Sequence, residues 1–197
     1  MNTNMKKLGL LLLVFQALFI SCKSGQTPNA SSSSTVNVTF LHLNDVYEIA
    51  PLEGGKVGGM ARVATVRKEL LAQNPNTITL LAGDFLNPSL IGTFKHEGKS
   101  IKGKQMVEVM DAIGMDWVGL GNHEFDVDEA ELVERINLSK FNWFASNAFH
   151  NIPNGVEPFT KNGVPFPKTT VLTFKNASGA SVKVGMFSVV LPANKKN

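Results

Sequence analysis

The sequence predicts an α/β domain, a layered sandwich built on a mostly parallel sheet, and three observations carry that reading. Short apolar, β-branched segments alternate with segments of helical periodicity from residue 36 to residue 146. That strict alternation implies parallel strands joined by right-handed crossovers. The first three strand segments also end directly in polar residues, as strands do when their carboxyl ends line a ligand site.

The first strand is read over residues 36–43 (VNVTFLHL), β-branched and partly alternating. After Gly58-Gly59, the apolar residues Met60, Val63, Ala64, Leu70 and Leu71 follow helical spacing. Residues 77–82 (TITLLA) form a short apolar run of the buried-strand type. Met106, Val107, Val109, Met110 and Ile113 mark a second helix, with Gly114 just past its end. Residues 116–120 (DWVGL) give a third strand, and residues 127–136 a third helix with acids in its first turn. Residues 142–146 (NWFAS) are the fourth strand. The pattern then changes, and residues 169–174 and 182–191 flank the turn-like NASGAS as a hairpin.

The chain begins with a leader. Lys6 and Lys7 precede an apolar run over residues 8–20. As a helix that run covers ~20 Å, short of the ~30 Å hydrocarbon core, so residues 1–21 are read as a signal peptide and not as a membrane span. The run ends in L-F-I-S-C, and Cys22 is the single cysteine among 197 residues. Ser21 before a unique Cys is similar to a bacterial lipobox, which makes Cys22 the expected lipidation site. Phe19 stands where Leu is usual. The expected location is exported and membrane-anchored, facing the periplasm or the cell surface. Residues 22–35 are Ser-rich and free of large apolar side chains, a lipidated tether. The partial domain is assigned to residues 36–197.

Composition narrows the function classes. With 43% hydrophobic and 18% charged residues the chain is globular in type rather than disordered. The formal charge of +3 is owed largely to the two leader lysines, and no basic stripe suggests a nucleic-acid polymer as partner. No G-x-G-x-x-G follows the first strand, which argues against a dinucleotide-binding domain.

The chemistry lies at the strand ends. Strand one runs into Asn44-Asp45, strand two into Gly83-Asp84, and strand three into Gly121-Asn122-His123. Parallel strands bring Asp45, Asp84 and Asn122 to one rim. Two carboxylates, an amide oxygen and a nearby imidazole suit divalent cations. Gly83 and Gly121 permit sharp turns and close approach. Taken singly, an Asp after a strand is more often a helix cap or a turn residue. Glu124 is expected to be solvated or to support a helix, and His42, His96 and His150 to be structural or exposed.

The blocks LHLND, GGMAR, LAGDF, KGKQMVEVMDAIGMD and GNHEFD, in that order over residues 36–147, resemble the calcineurin-like metallophosphoesterases. The branch is that of the 5′-nucleotidases and 2′,3′-cyclic phosphodiesterases. The resemblance implies the first half of that family's layered sandwich and metal-dependent hydrolysis of phosphate esters, with nucleotides as the small-molecule substrates. It implies two divalent ions, of Mn, Zn, Mg, Ca or Fe. Asp45 would ligate the first, Asp84 would bridge both, and Asn122 would ligate the second. His123 would lie beside the phosphoryl group, and Asp126 would orient its ring.

Two departures from the family pattern stand out. The first block usually reads Asp-x-His, whereas here it is Asp45-Val46-Tyr47. Tyr47 fits an iron preference, a water in place of the side chain, or simple packing. The family's later single His and Gly-His-x-His block are not found after Asn147. The chain is therefore expected to be truncated, to lack its C-terminal half as a partner, and to be weakly active or inactive alone. The competing expectation is a non-catalytic surface lipoprotein that keeps this fold as a binding module.

Overall fold

A computed structural model of the chain describes residues 34–192. The segment 1–21 read as a signal peptide, Cys22, and the segment read as a tether as far as residue 33 lie outside the described residues. Strand β1 (Thr39–Leu43) leads through a loop into helix α1 (Met60–Gln73) and strand β2 (Thr77–Leu81). A two-residue-per-strand hairpin follows, β3 (Lys95–His96) and β4 (Lys99–Ser100). Then come α2 (Lys104–Ile113), β5 (Trp117–Gly119), α3 (Glu129–Leu138) and β6 (Asn142–Phe144). The remainder is hairpins: β7 (Phe149–Ile152) with β8 (Gly155–Pro158), β9 (Thr160–Lys161) with β10 (Val164–Pro165), and β11 (Thr169–Lys175) with β12 (Ser181–Phe187).

The central sheet has the order β1-β2-β5-β6 and every pairing in it is parallel. Its register aligns Leu43 with Leu81 and Leu81 with Val118, so the first three strands end level. Level carboxyl ends give the following loops a common rim, as the alternating pattern anticipates. Helix α2 forms because Met106, Val107 and Met110 recur on one face, and all three are fully buried. It stops at Gly114, whose φ of 81° is the left-handed conformation that lets its N–H reach Met110 O and Asp111 O.

Below the rim the core is aromatic and sulfur-rich. Phe85, Leu86, Met106, Met110, Leu120, Leu132 and Ile136 are buried, and the Trp143 ring stacks on Phe166 at 5.9 Å. Thr79 in the centre of β2 is satisfied from both sides: Arg67 Nε donates to its hydroxyl at 3.0 Å, and its N–H donates to Asp116 Oδ2 at 2.8 Å.

The last predicted strand, 182–191, ends early, at Phe187. Ser188 leaves the hairpin because its carbonyl accepts the Ser146 N–H at 2.9 Å, and Val190 N–H donates to Asn147 Oδ1 at 2.9 Å. That docking runs beside Gly119, where an added Cβ would stand 2.5 Å from Ser188 Oγ, so a side chain there would block it.

Candidate active site

The loops after β1, β2 and β5 carry the residues singled out in the sequence, and the structure brings them together. Asp45 and Asp84 both sit at positive φ, 54° and 61°, a conformation non-glycine residues adopt at a cost. Their surroundings hold them there. The Asp45 N–H donates to Gly83 O at 3.3 Å, tying the first loop to the second. The His123 N–H donates to Asp84 Oδ1 at 2.8 Å, tying the second to the third. The contact of the last two loops is backbone on backbone. A Cβ on Gly83 would lie 2.1 Å from Gly121 N, and one on Gly121 would lie 2.2 Å from Asp84 Oδ1. Only glycine fits either place.

Asp45 Oδ2 accepts from Asn44 Nδ2 at 2.5 Å, and its Oδ1 accepts from the Tyr47 hydroxyl at 2.9 Å. These two bonds, helped by the neighbouring Asp84 carboxyl and the His123 imidazole, hold the Asp45 carboxyl below its ordinary pKa against a smaller opposing effect of desolvation. Burial and the bond to Asp45 push the Tyr47 phenol the other way, well above its ordinary value. Tyr47 is here a neutral donor to a carboxylate, its ring edge-on to His123 at 6.0 Å between centroids.

His123 and Asp126 form a pair within one 3-10 turn, His123–Asp126, with Nδ1 and Oδ2 2.6 Å apart. The bond to Asp126 raises the imidazole pKa, with smaller support from the Asp84, Asp126 and Glu124 charges and partial opposition from burial. Asp126 Oδ2 also accepts from Asn87 Nδ2 at 3.3 Å. Asn122 stands at the head of this turn, half-buried.

Two residues of the site were not legible. Asn87 reaches Asp126 from the loop after β2, and nothing in its sequence neighbourhood marks it. Glu124 corrects an expectation. It is 0% exposed and so is not solvated. Its Oε2 accepts the N–H groups of Asp84 and Gly121, both at 2.7 Å, and its Oε1 accepts those of Phe85 at 2.8 Å and Leu86 at 3.3 Å. Burial pushes its pKa up and the four N–H groups pull it back. Of the other histidines, His42 and His96 are exposed, and His150 pairs with Glu129 and Glu157.

Among the described residues no three His, Cys, Asp or Glu side chains gather as a metal cluster. The third rim donor is an amide. Asp45, Asp84 and Asn122 together offer two carboxylates and a neutral oxygen, hard donors of the kind that hold divalent cations while leaving positions open to water. The close cradle at Gly83 and Gly121, with strained carboxylates on either side, fits an ion in donor chemistry.

Comparison with known proteins bears on the family and the fold. The family model described as Calcineurin-like phosphoesterase matches residues 38–183. A snake venom 5′-nucleotidase of Gloydius brevicauda is 34% identical over 134 residues, covering 64% of this chain and 21% of that protein. A probable 5′-nucleotidase of Treponema pallidum is 29% identical over 132 residues, covering 61% and 21%. The chain thus spans about a fifth of the length of these relatives. Among solved structures, a 5′-nucleotidase precursor from Thermus thermophilus superposes with a TM-score of 0.62 at 23% identity, over 80% of this chain and 29% of that one. A calcineurin-like phosphoesterase from Bacillus subtilis gives 0.59 at 23%, over 80% and 49%. At that identity the structures speak for the fold.

Proposed function

The chain belongs to the calcineurin-like phosphoesterase family, and from that premise we propose that its rim contributes to metal-dependent hydrolysis of phosphate esters, nucleotides first among them. The observation that carries the reading is the tie between the three strand-end loops that bear Asp45, Asp84, Asn122 and His123, made by the bond from Asp45 N–H to Gly83 O and the 2.8 Å bond from His123 N–H to Asp84 Oδ1. The names of the 5′-nucleotidase relatives support the choice of ester.

Asp45, Asp84 and Asn122 would hold the two divalent ions. Bound there, such ions supply a water of lowered pKa and neutralise phosphoryl charge. The rest of the chemistry falls to the chain. Asp84 has two oxygens and can bridge, while Asn122 adds a donor without adding negative charge. Asp126 fixes the His123 ring through Nδ1, which leaves Nε2 as the nitrogen to meet a phosphoryl oxygen or the departing alkoxide. The bond to Asp126 raises the imidazole pKa in the metal-free chain. Asn87 steadies Asp126 from the opposite loop. Tyr47 keeps Asp45 in place through its hydroxyl.

Turnover is proposed for the protein that carries this chain, since the chain spans only 21% of each of the two nucleotidase relatives. The test is hydrolysis of AMP and of bis-p-nitrophenyl phosphate with Mn²⁺ or Zn²⁺. Chelation is expected to abolish it, and Asp84→Ala to do the same. Hydrolysis that survives both contradicts the reading.

We propose further that the chain is exported and held at a membrane, facing the periplasm or the cell surface, through a lipid on Cys22. The support is the Lys6-Lys7 start, the apolar run and the unique cysteine. Cys22→Ser is expected to move the protein into the soluble fraction. A variant that still sediments with membranes contradicts the anchor.

A further inference from the structure

Glu124 takes no part in the proposed reaction, yet among the described residues it is the one acid wholly withdrawn from solvent. A carboxylate is a poor choice for filling a core, because its desolvation must be offset by hydrogen bonds. Here it is offset by four backbone N–H groups, and their distribution is informative. Asp84, Phe85 and Leu86 come from the loop after β2, and Gly121 from the loop after β5. Asp84 N and Gly121 N share one oxygen, each at 2.7 Å, so those two nitrogens cannot separate further than the two bonds allow. Gly121 is the immediate neighbour of Asn122, and Asp84 is itself a rim donor. The same two loops meet where Gly83 and Gly121 admit no Cβ.

We infer that Glu124 is a positioning residue of the rim, whose buried carboxylate fixes Asp84 and Asn122 in one register before any metal arrives. This rests on the reading of the rim as a divalent-metal site. A neutral isostere cannot do the same work. Glu124→Gln keeps the shape but replaces one oxygen by an NH₂ group, so one pair of N–H donors, Asp84 with Gly121 or Phe85 with Leu86, loses its acceptor. The loops are then free to shift, and donors that must converge on one ion no longer do so without reorganisation.

The experiment is a Mn²⁺ titration of the purified chain, with free Mn²⁺ followed by electron paramagnetic resonance. Glu124→Gln is expected to weaken binding ~10–100-fold, the range seen when groups that orient metal ligands are lost. Ile136→Ala, a cavity variant in α3 where Ile136 is fully buried, controls for general destabilisation and is expected to stay within about twofold. A folded Glu124→Gln protein that also binds within about twofold of the parent overturns the inference. Amide hydrogen exchange on the unaltered, metal-free chain decides the matter even where the variant does not fold. The N–H groups of Asp84, Phe85, Leu86 and Gly121 are expected to be as protected as those of β2 and β5. Exchange as fast as an open loop until Mn²⁺ is added would mean that the ion, and not Glu124, joins the loops. A parent chain that binds no Mn²⁺ overturns the metal reading itself, and this role falls with it. That outcome is distinct from a parent that binds and a variant that binds equally.

Discussion

His123 and His150 each rest against carboxylates, and their side chains are similarly exposed, at 38% and 32%. His123 Nδ1 lies 2.6 Å from Asp126, while His150 contacts Glu129 through Nε2 and stands 3.5 Å from Glu157 through Nδ1. Their surroundings separate them. Around His123 are two carboxylates on strained backbone, a loop junction only glycine fits, and a second support for the partner acid in Asn87. Around His150 are the stacked ring of Phe159 and a cleft of about 630 Å³ bordered by Phe125, Glu129, Asn147, Val156 and Val190. A histidine–carboxylate contact thus does not by itself mark a site, and cavity volume and donor convergence point to different histidines. Converging donors held at a cost in backbone strain are the better guide.

That contrast can be broken by substitution. His123→Ala is expected to lower kcat ~10²–10⁴-fold with little change in KM, because its proton and charge act mainly in the transition state. Steady-state kinetics with AMP would check it, and an unchanged kcat would remove His123 from the chemistry. Asp126→Asn should act more mildly, roughly tenfold on kcat, since the ring is misoriented and not absent. It also carries a titration signature. The Asp126 carboxylate favours the imidazolium and so raises the His123 pKa; removing its negative charge must lower that pKa toward the ordinary histidine value. Nuclear magnetic resonance titration of the ring protons in the metal-free chain reads this directly, and a pKa that stays or rises contradicts the pairing. The smallest effect is expected from His150→Ala. Partly exposed ion pairs are worth about 0–1 kcal/mol, so stability should fall by no more than that and turnover should stay within about twofold. A larger loss of turnover would make His150 a second site in its own right.

The fold and the site differed in how far the sequence revealed them. The strand–helix alternation stood out because β2, β5 and the buried face of α2 are made of contiguous or periodic apolar residues. The rim followed, since Asp45, Asp84 and Asn122 occur shortly after the ends of β1, β2 and β5. The hairpins β7–β8 and β9–β10 were not legible. Their strands are two to four residues long and mostly exposed, too short for a period of two to register. Glu124 escaped for a different reason. In GNHEFD nothing local distinguishes it from the other polar residues, and only the meeting of two loops distant in sequence turns it inward. Asn87 likewise acquires its role from a partner 39 positions away. Local pattern reveals where donors start, and tertiary contact decides which groups hold them.

The rim, and not the His150 cluster, is the proposed metal site. Paramagnetic broadening by substoichiometric Mn²⁺ in a two-dimensional amide spectrum tests this most directly. The amides of Asp45, Gly83, Asp84 and Gly121 are expected to broaden first, and Asp84→Ala should abolish the effect. Selective broadening around Glu129, His150 and Glu157 with the rim unaffected would contradict it.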